Sequence, residues 1–171
     1  ADIENGQKTG FFYDQRENRQ ILKRFVAGAE VLDCFCFSGS FSVHAAAYGA
    51  KSVLGVDVSE AAVSMATQNA ALNNVEEQCT FMEANAFDLL RGYSDEGRTF
   101  DTIILDPPAF TKSKSTVESA ARGYKEINLR GLKMVRPGGY LVTCSCSYHM
   151  DRNYFRNLVT EDKKKKKRTI R

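Results

Sequence analysis

Apolar and polar residues follow one another in blocks along this chain. Five runs are mostly apolar and rich in β-branched or aromatic residues, and they lie at 31–36, 52–58, 79–84, 99–106 and 139–146. Such nearly continuous apolar runs are typical of strands that are covered on both faces. The pattern therefore predicts five buried strands.

The segments between and after these runs have helical patterns, and they lie at 40–49, 60–74, 85–93, 117–135 and 150–159. Gly49, Asn73-Asn74 and Pro137-Gly138-Gly139 are predicted to end helices, because Gly and Asn tolerate left-handed backbone and Pro cannot continue a helix. Alternating strands and helices predict an open, mainly parallel sheet with helices on both faces. Ligands of such sheets bind beyond the carboxyl ends of the strands.

The length of 171 residues is sufficient for one domain with a core of its own. Lys and Arg outnumber Asp and Glu by 24 to 21, but seven of the positive charges fall in residues 163–171. The rest of the chain is therefore mildly acidic. The lysine-rich end is predicted to be a solvated tail, with a phosphate-binding arm as the alternative.

The five cysteines are an odd number, and most of them lie inside apolar runs. This usage, without a leader sequence before it, predicts a reducing, cytoplasmic setting. No apolar stretch approaches the roughly 20 residues that span a bilayer, so we expect a soluble protein. Because the chain starts without Met and stops just after a helical pattern, we expect a fragment of a longer protein.

The first strand leads into a turn with a single glycine. Residues 33–39 read DCFCFSG, and backbone N–H groups in such a turn face the ligand crevice. Gly39 lets a ligand approach closely, but the three-glycine turn of nicotinamide enzymes is not present. Asp57, at the end of the second strand, can accept hydrogen bonds from both hydroxyls of a ribose. These features indicate an adenosine cofactor.

The third and fourth strands also end in polar residues. Asn85 and Phe87 offer an amide and an apolar wall, which suit an adenine ring, although Asn85 is also suited to cap the next helix. The fourth strand ends in DPPAF, residues 106–110. Two prolines fix an extended backbone there and hold Asp106 at the mouth of the strand, which favours a functional aspartate.

Taken in order, these motifs resemble the class I S-adenosylmethionine-dependent methyltransferases. More closely, the chain is similar to the catalytic domain of bacterial 23S ribosomal RNA cytosine-5 methyltransferases. The likeness spans about residues 3–160 and rests on DxFxxxG, VDVS, NAFD, DPPAF and RPGGYLVTCSCS, with NGQKTGFFYDQR at 5–16, FTKSK at 110–114 and RGYKEIN at 122–128. It implies a Rossmann-like α/β fold and methyl transfer to carbon 5 of a cytosine in large-subunit ribosomal RNA, with S-adenosylhomocysteine as product.

The resemblance also implies a role for each strand end. Asp57 would hold the ribose, Asn85 and Phe87 the adenine, and Asp106 would face the target base. An N-terminal segment, residues 1–20, would close over the cofactor. The predicted cofactor-binding residues are Phe11, Phe12, Gln15, Asp33, Cys36, Phe37, Ser38, Gly39, Asp57, Val58, Asn85, Ala86, Phe87, Asp106 and Pro107.

Two departures from the family pattern matter. Relatives commonly have Asp where this chain has Asn85, whose amide can still meet the adenine amino group. Full-length relatives also carry an N-terminal RNA-binding module and two more strands at the end of the sheet, and we expect this chain to lack both. The catalytic domain is predicted at 21–160, followed by a basic tail at 161–171.

Methylating carbon 5 of cytosine requires a nucleophile, because attack of a thiolate on carbon 6 makes carbon 5 reactive. The fifth strand is predicted to bring residues 143–147, TCSCS, to the carboxyl edge beside Asp106. Cys144 is the predicted nucleophile because its TCS context resembles the family motif, and Cys146, on the same side by the period of two, is the alternative. Related families have a second cysteine at the position of Ala109, so Asp106 or a water is the candidate base.

Cys34 and Cys36 are predicted to be small packing residues rather than reactive ones. No metal site is predicted, because the two CxC pairs depart from the usual zinc spacing and neither His44 nor His149 lies at ligand spacing. His44 is predicted to be a core or helix-face residue.

The partner predicted for this domain is ribosomal RNA. Phosphates and a flipped base could be held by Lys112, Lys114, Arg122, Tyr124 and Lys125, with Asn128 beside them and Phe110 stacking on the base. Taken alone, such charges are more often a solvated helix face.

Three other functions stay open at this point. An RNA guanine methyltransferase would have a similar DPP-containing stretch but would need no thiol. A cofactor-binding fragment without activity of its own is a second alternative. A nicotinamide-dependent reductase is the third, and the single-glycine turn argues against it.

Overall fold

The computed structural model describes residues 13–111, 116–147 and 150–160. The strands in this part of the chain are β1 (Glu30–Cys34), β2 (Ser52–Asp57), β3 (Cys79–Glu83), β4 (Phe100–Leu105) and β5 (Val135–Thr143). The helices are α1 (Arg16–Ile21), α2 (Ser40–Ala47), α3 (Glu60–Leu72), α4 (Ala86–Asp95), α5 (Val117–Met134) and α6 (Arg152–Thr160). Short 3-10 turns at Tyr13–Gln15 and Leu22–Arg24 flank α1.

The five strands form one sheet in the order β3-β2-β1-β4-β5, and every neighbouring pair is parallel. From β1 the chain builds outward to β2 and β3 on one side, and then returns to build β4 and β5 on the other. The carboxyl ends of β1 and β4 therefore border a topological switch point, where open α/β sheets bind their ligands. The predicted parallel Rossmann-like sheet is confirmed.

Helices cover both faces of the sheet. Leu32 and Cys34 belong to a core cluster with residues of α4, α5 and β4. Val31, on the opposite face of β1, belongs to a second cluster built mainly from α2, β2 and the chain around α1. Because successive side chains of a strand point to opposite faces, the continuous apolar runs fill both layers.

The ends of α2 and α3 follow the predicted signals. Gly49 has a φ of 90° just after α2, and Asn74 has a φ of 55° just after α3. The start of α3 is capped by Ser59, whose Oγ accepts a hydrogen bond from the Ala62 N–H at 3.3 Å. Such a cap satisfies one of the backbone donors that a helix leaves unpaired.

The prediction for Pro137-Gly138-Gly139 was partly wrong. These residues do not directly follow a helix, because α5 ends at Met134 and they lie inside β5. Val135 pairs with Phe100 and the next regular pair joins strand residues 140 and 102, so the intervening residues form an irregularity in the ladder. Proline disfavours helical backbone at the residue before it, which explains why the helix stops upstream.

None of the described helices is long and apolar enough to cross a membrane.

Candidate functional site

The loop after β1 has left-handed backbone at three positions. Phe35, Phe37 and Gly39 have φ angles of 65°, 47° and 74°. Left-handed backbone is costly for residues with a Cβ atom, so the surrounding structure must fix it. The Cys36 N–H donates to the Val56 carbonyl at 3.0 Å, which joins the loop to β2. The turn predicted after the first strand is therefore a fixed loop at the switch point.

Gly39 lies where a side chain has no room. A Cβ atom at this position would lie 2.8 Å from the Cβ of Ala66 in α3 and 3.1 Å from the Phe81 ring. Glycine therefore lets α3 pack directly against the loop. This packing role of Gly39 is compatible with its predicted role of letting a ligand approach closely.

The Asp57 carboxylate at the end of β2 holds the loop in place. Its Oδ2 accepts a hydrogen bond from the Phe37 N–H at 2.9 Å, and its Oδ1 accepts one from the Ser59 N–H at 3.1 Å. A carboxylate offers about four lone-pair positions, so these two bonds leave acceptor capacity. The adjacent Val58 is 70% exposed. A half-buried acceptor beside an exposed apolar side chain is suited to a hydroxylated ligand with an apolar face.

The end of β3 contributes an aromatic wall. The Phe87 ring is half-buried, with its centre 6.2 Å from that of Phe35 and 5.6 Å from that of Phe110. Asn85 is exposed and caps α4, since its Oδ1 accepts a hydrogen bond from the Phe87 N–H at 2.9 Å. The capping role expected as the alternative for Asn85 is confirmed. Because β3 pairs with β2, this wall lies on the same side of the switch point as Asp57.

Asp33 lies under the loop and is fully buried. The Ser42 hydroxyl donates to its Oδ2 at 2.6 Å, while its Oδ1 has no hydrogen-bond partner among the described residues. Burial raises the pKa of Asp33 to about 7 because the charged carboxylate loses its hydration. Asp33 therefore keeps one buried oxygen for which the described residues supply no hydrogen-bond donor.

Asp106, at the end of β4, is surrounded by polar side chains. Its Oδ1 accepts a hydrogen bond from Gln15 Nε2 at 3.3 Å and lies 3.9 Å from Cys146 Sγ. Burial and the charge of Asp14 raise the pKa of Asp106 to about 6. The following Pro107 is buried, as its place directly after an inner strand predicts.

Cys144 and Cys146 lie in a loop, because β5 ends at Thr143. The Cys144 thiol donates a hydrogen bond to Gln15 Oε1 at 3.9 Å and lies near Asp106, to which the Cys146 thiol donates at 3.9 Å. Burial, with the charge of Asp106, raises the pKa of the Cys144 thiol. The two thiols thus share one neighbour as predicted, but the path of the loop brings them there rather than the alternation of a strand.

Cys34 and Cys36 are buried, and burial raises the pKa of both thiols. The prediction that they are packing residues is confirmed, since a buried protonated thiol behaves as a small apolar group. His44 lies half-buried in α2, and its Nδ1 is 2.7 Å from the Ser40 carbonyl. It occupies a helix face, as predicted.

A family model described as S-adenosylmethionine-dependent methyltransferase matches residues 1–164. The chain belongs to this methyltransferase family. The predicted cofactor, S-adenosylmethionine, is therefore confirmed at the level of the family.

Individual relatives agree with this placement. Ribosomal RNA large subunit methyltransferase I from Shewanella amazonensis is 47% identical over 162 residues, which cover 94% of this chain and 41% of that protein. The protein of the same name from Aeromonas hydrophila is 46% identical over the same shares. The solved structure of SMU.776 complexed with SAH covers 92% of this chain and 42% of that one, with a TM-score of 0.80 and 26% identity. The methyltransferase chain thus spans about two fifths of the curated relatives it matches.

The methyltransferase buries two residues that were predicted to contact RNA, Tyr124 and Asn128. Tyr124 has no exposed surface, and its ring centre lies 4.5 Å from that of Phe110 and 5.3 Å from that of Phe155. Its hydroxyl is 3.0 Å from Ser147 Oγ. The prediction for Tyr124 was wrong, because a side chain enclosed in this way cannot reach RNA. Asn128 is buried as well and donates to the Tyr124 carbonyl at 2.8 Å.

The other predicted RNA contacts divide into two groups. Arg122 and Lys125 are exposed on α5, so their predicted role stays a prediction. The predicted residues that lie outside the described part of the chain are Phe11, Phe12, Lys112, Lys114 and the lysine-rich tail.

The prediction of site residues missed Arg19 in α1. Its side chain is only 2% exposed. Burial lowers the pKa of Arg19, and the charges of Asp14 and Asp106 oppose that shift, which places the guanidinium near both carboxylates. Gln15 and Arg19 are four residues apart and so lie on one face of the helical segment. That spacing from Gln15 is the sequence signal from which Arg19 could have been predicted.

Proposed function

We propose that this chain is the methyl-transfer domain of a ribosomal RNA methyltransferase that modifies carbon 5 of a cytosine through Cys144. One observation carries the proposal: two thiols flank the Asp106 carboxylate at the carboxyl edge of the sheet. A guanine-modifying enzyme has no use for such thiols. The name of the 47% identical relative supports ribosomal RNA as the substrate class.

The residues around the switch point fit S-adenosylmethionine. Asp57 has acceptor capacity for ribose hydroxyls, Phe87 offers a face to adenine, and the loop at 36–39 lies where the methionine part would extend. The unpartnered Oδ1 of Asp33 is a buried acceptor beneath that loop. When bound, S-adenosylmethionine supplies an electrophilic methyl group.

The protein's own groups account for the covalent steps. Cys144 loses its proton and its sulfur forms a bond to carbon 6 of cytosine, which moves the ring electrons to carbon 5. After carbon 5 gains the methyl group, a base removes its proton, the carbon 5–carbon 6 double bond returns and the thiolate leaves. Asp106 has the raised pKa, about 6, of a carboxylate that can accept and release a proton near neutral pH.

The resting Cys144 thiol is held protonated by burial and by the nearby carboxylate. We infer that its proton leaves only when the target base is in place and Asp106 or a water accepts it. Such a thiol is protected from other electrophiles in the absence of RNA, because the thiolate is the reactive form.

The proposed function is tested by trapping the covalent intermediate. The protein is incubated with S-adenosylmethionine and unmodified ribosomal RNA that contains 5-fluorocytosine, because fluorine at carbon 5 cannot leave as a proton would. We expect a protein–RNA complex that survives denaturing electrophoresis, and 5-methylcytosine by mass mapping with ordinary RNA. RNA without fluorine is the control. Methylated guanine, or no complex at all, contradicts the proposal.

The proposed role of Asp57 gives a second prediction. Asp57→Ala removes the acceptors for two ribose hydroxyls, and we expect affinity for S-adenosylhomocysteine to fall about 10- to 100-fold, as for one or two bonds to a charged group. Glu83→Ala is the matched control, because Glu83 is an exposed carboxylate at the paired position of β3. Calorimetry measures both dissociation constants. Equal affinity of the Asp57 variant and the wild type contradicts the role.

A further inference from the structure

Gln15 lies between the two groups that the proposed reaction needs. It is the last residue of the turn before α1, and its side chain is 7% exposed. Its Nε2 donates to Asp106 Oδ1 at 3.3 Å, and its Oε1 lies 3.9 Å from Cys144 Sγ. One amide thus joins side chains that are 91 and 129 positions away in the chain.

The orientation of this amide follows from its partners. An ionised Asp106 can only accept hydrogen bonds, so the NH₂ end of Gln15 must face it. The oxygen end then faces the Asn18 side chain, and Asn18 Nδ2 donates to it at 2.7 Å. The same oxygen accepts a hydrogen bond from the Cys144 thiol at 3.9 Å. All three contacts are satisfied by this one placement of nitrogen and oxygen.

The segment that holds Gln15 also brings charge to Asp106. Arg19 lies one turn further on, almost fully buried, with its guanidinium near Asp14 and Asp106. The segment from Tyr13 through α1 therefore borders Asp106, with a hydrogen-bond donor on the carboxylate and a buried cation nearby.

We propose that Gln15 is a positioning residue for methyl transfer, and that its amide holds the Asp106 carboxylate and the Cys144 thiol in a fixed relation. This inference rests on the proposed function of Cys144. It differs from the prediction that Gln15 binds the cofactor, since the described contacts of its amide are with the thiol, the carboxylate and Asn18.

Positioning of this kind matters because a nucleophile and a proton acceptor act only at short range, and a misplacement of about 1 Å can lower a rate about 100-fold. The Gln15 N–H also stabilises the charged form of Asp106. Among the described residues, the other titratable or charged groups near this carboxylate are Asp14, Arg19, Asp33, Cys144 and Cys146. Loss of the Gln15 donor should therefore raise the pKa of Asp106 and favour its protonated form.

The test uses Gln15→Met, which keeps the length of the side chain and removes both polar atoms. We expect kcat to fall about 30- to 100-fold, with the dissociation constant of S-adenosylhomocysteine changed by less than about twofold. The acid limb of the pH–rate profile should move up by about one pH unit, the effect of losing one bond to a charged group. Gln20→Met is the control, because Gln20 is exposed on α1, the helix that directly follows Gln15.

If Gln15→Met lowers the melting temperature, a second variant separates the loss of positioning from the loss of stability. Asn18→Ala removes the group that orients the Gln15 amide, and Asn18 itself is exposed. We expect a loss in kcat of about 3- to 10-fold, again with unchanged cofactor affinity. Unaltered kcat in both variants overturns the inference. A cofactor dissociation constant raised tenfold with kcat unchanged also overturns it, because Gln15 then binds the cofactor.

The fluorocytosine complex separates this inference from the proposed function. Wild-type protein that forms no complex refutes the function of Cys144, and the positioning role with it. Wild-type protein that forms the complex, together with Gln15→Met that forms it at the same rate, refutes the positioning role alone. Slower formation by Gln15→Met, with normal cofactor binding, supports both.

Discussion

Cys144→Ser is expected to lower the rate of RNA methylation by about 10³-fold or more, because a serine hydroxyl is a far weaker nucleophile than a thiolate. The substitution changes one atom, so the fold and the affinity for S-adenosylhomocysteine should stay close to those of the wild type. Initial rates of methyl incorporation into unmodified ribosomal RNA measure the effect. The fluorocytosine complex should also be lost.

Serine variants of two other cysteines are the controls for this prediction. Cys146→Ser removes the thiol beside Asp106 that is not the proposed nucleophile, and we expect the covalent complex to form. Cys79→Ser alters a half-buried thiol in β3, away from Asp106, and should leave the rate unchanged. If Cys146→Ser is inactive and Cys144→Ser is active, the nucleophile is Cys146. If both are active, the covalent mechanism is wrong.

Gly39→Ala is expected to lower the free energy of unfolding by about 2–5 kcal/mol, through two costs that add. A φ of 74° costs a residue with a Cβ atom about 1–2 kcal/mol. The new Cβ would also lie 2.8 Å from the Cβ of Ala66, and overpacking of this kind costs about 1–3 kcal/mol. Urea unfolding followed by circular dichroism measures the change.

Gly97→Ala is the matched control for Gly39→Ala. Gly97 has the same φ of 74°, but no atom lies within 4 Å of the position of its Cβ. It should therefore lose only the backbone part, about 1–2 kcal/mol. Equal losses in the two variants mean that α3 moves away from the loop without cost, which contradicts the close packing described for Gly39.

The sheet was predictable because its signal is local and strong. Each inner strand is a short apolar run, and the helix-ending residues Gly49 and Asn74 act on their own neighbours through left-handed backbone. The failure at Pro137-Gly138-Gly139 has a tertiary cause. Such residues can end a helix or interrupt a strand. Which of the two occurs depends on pairing with β4, and the local sequence does not predict that pairing.

The wrong prediction for Tyr124 was avoidable. Ala120, Tyr124, Ile127 and Gly131 are spaced by three or four residues and are all buried in α5. That period alone places Tyr124 on the apolar face of the helix, whereas the polar residues around it suggested an RNA contact.

The contacts of Gln15 could not be predicted from local patterns. They join segments that are far apart in sequence, and they depend on how the N-terminal helix docks on the sheet. The raised pKa of Asp106 has the same origin, because burial by several elements produces it rather than its own DPP motif. The DPP motif therefore identifies the end of β4, whereas tertiary packing determines which side chains contact Asp106 there.

The left-handed backbone at Phe35 and Phe37 has a consequence for binding entropy. Flexible ligand loops lose conformational freedom when the ligand arrives, and that loss subtracts from affinity. Here the Asp57 and Val56 hydrogen bonds already hold the loop in its unusual shape. Ordering of this segment therefore occurs during folding, and a ligand of the switch point meets a surface that is already formed.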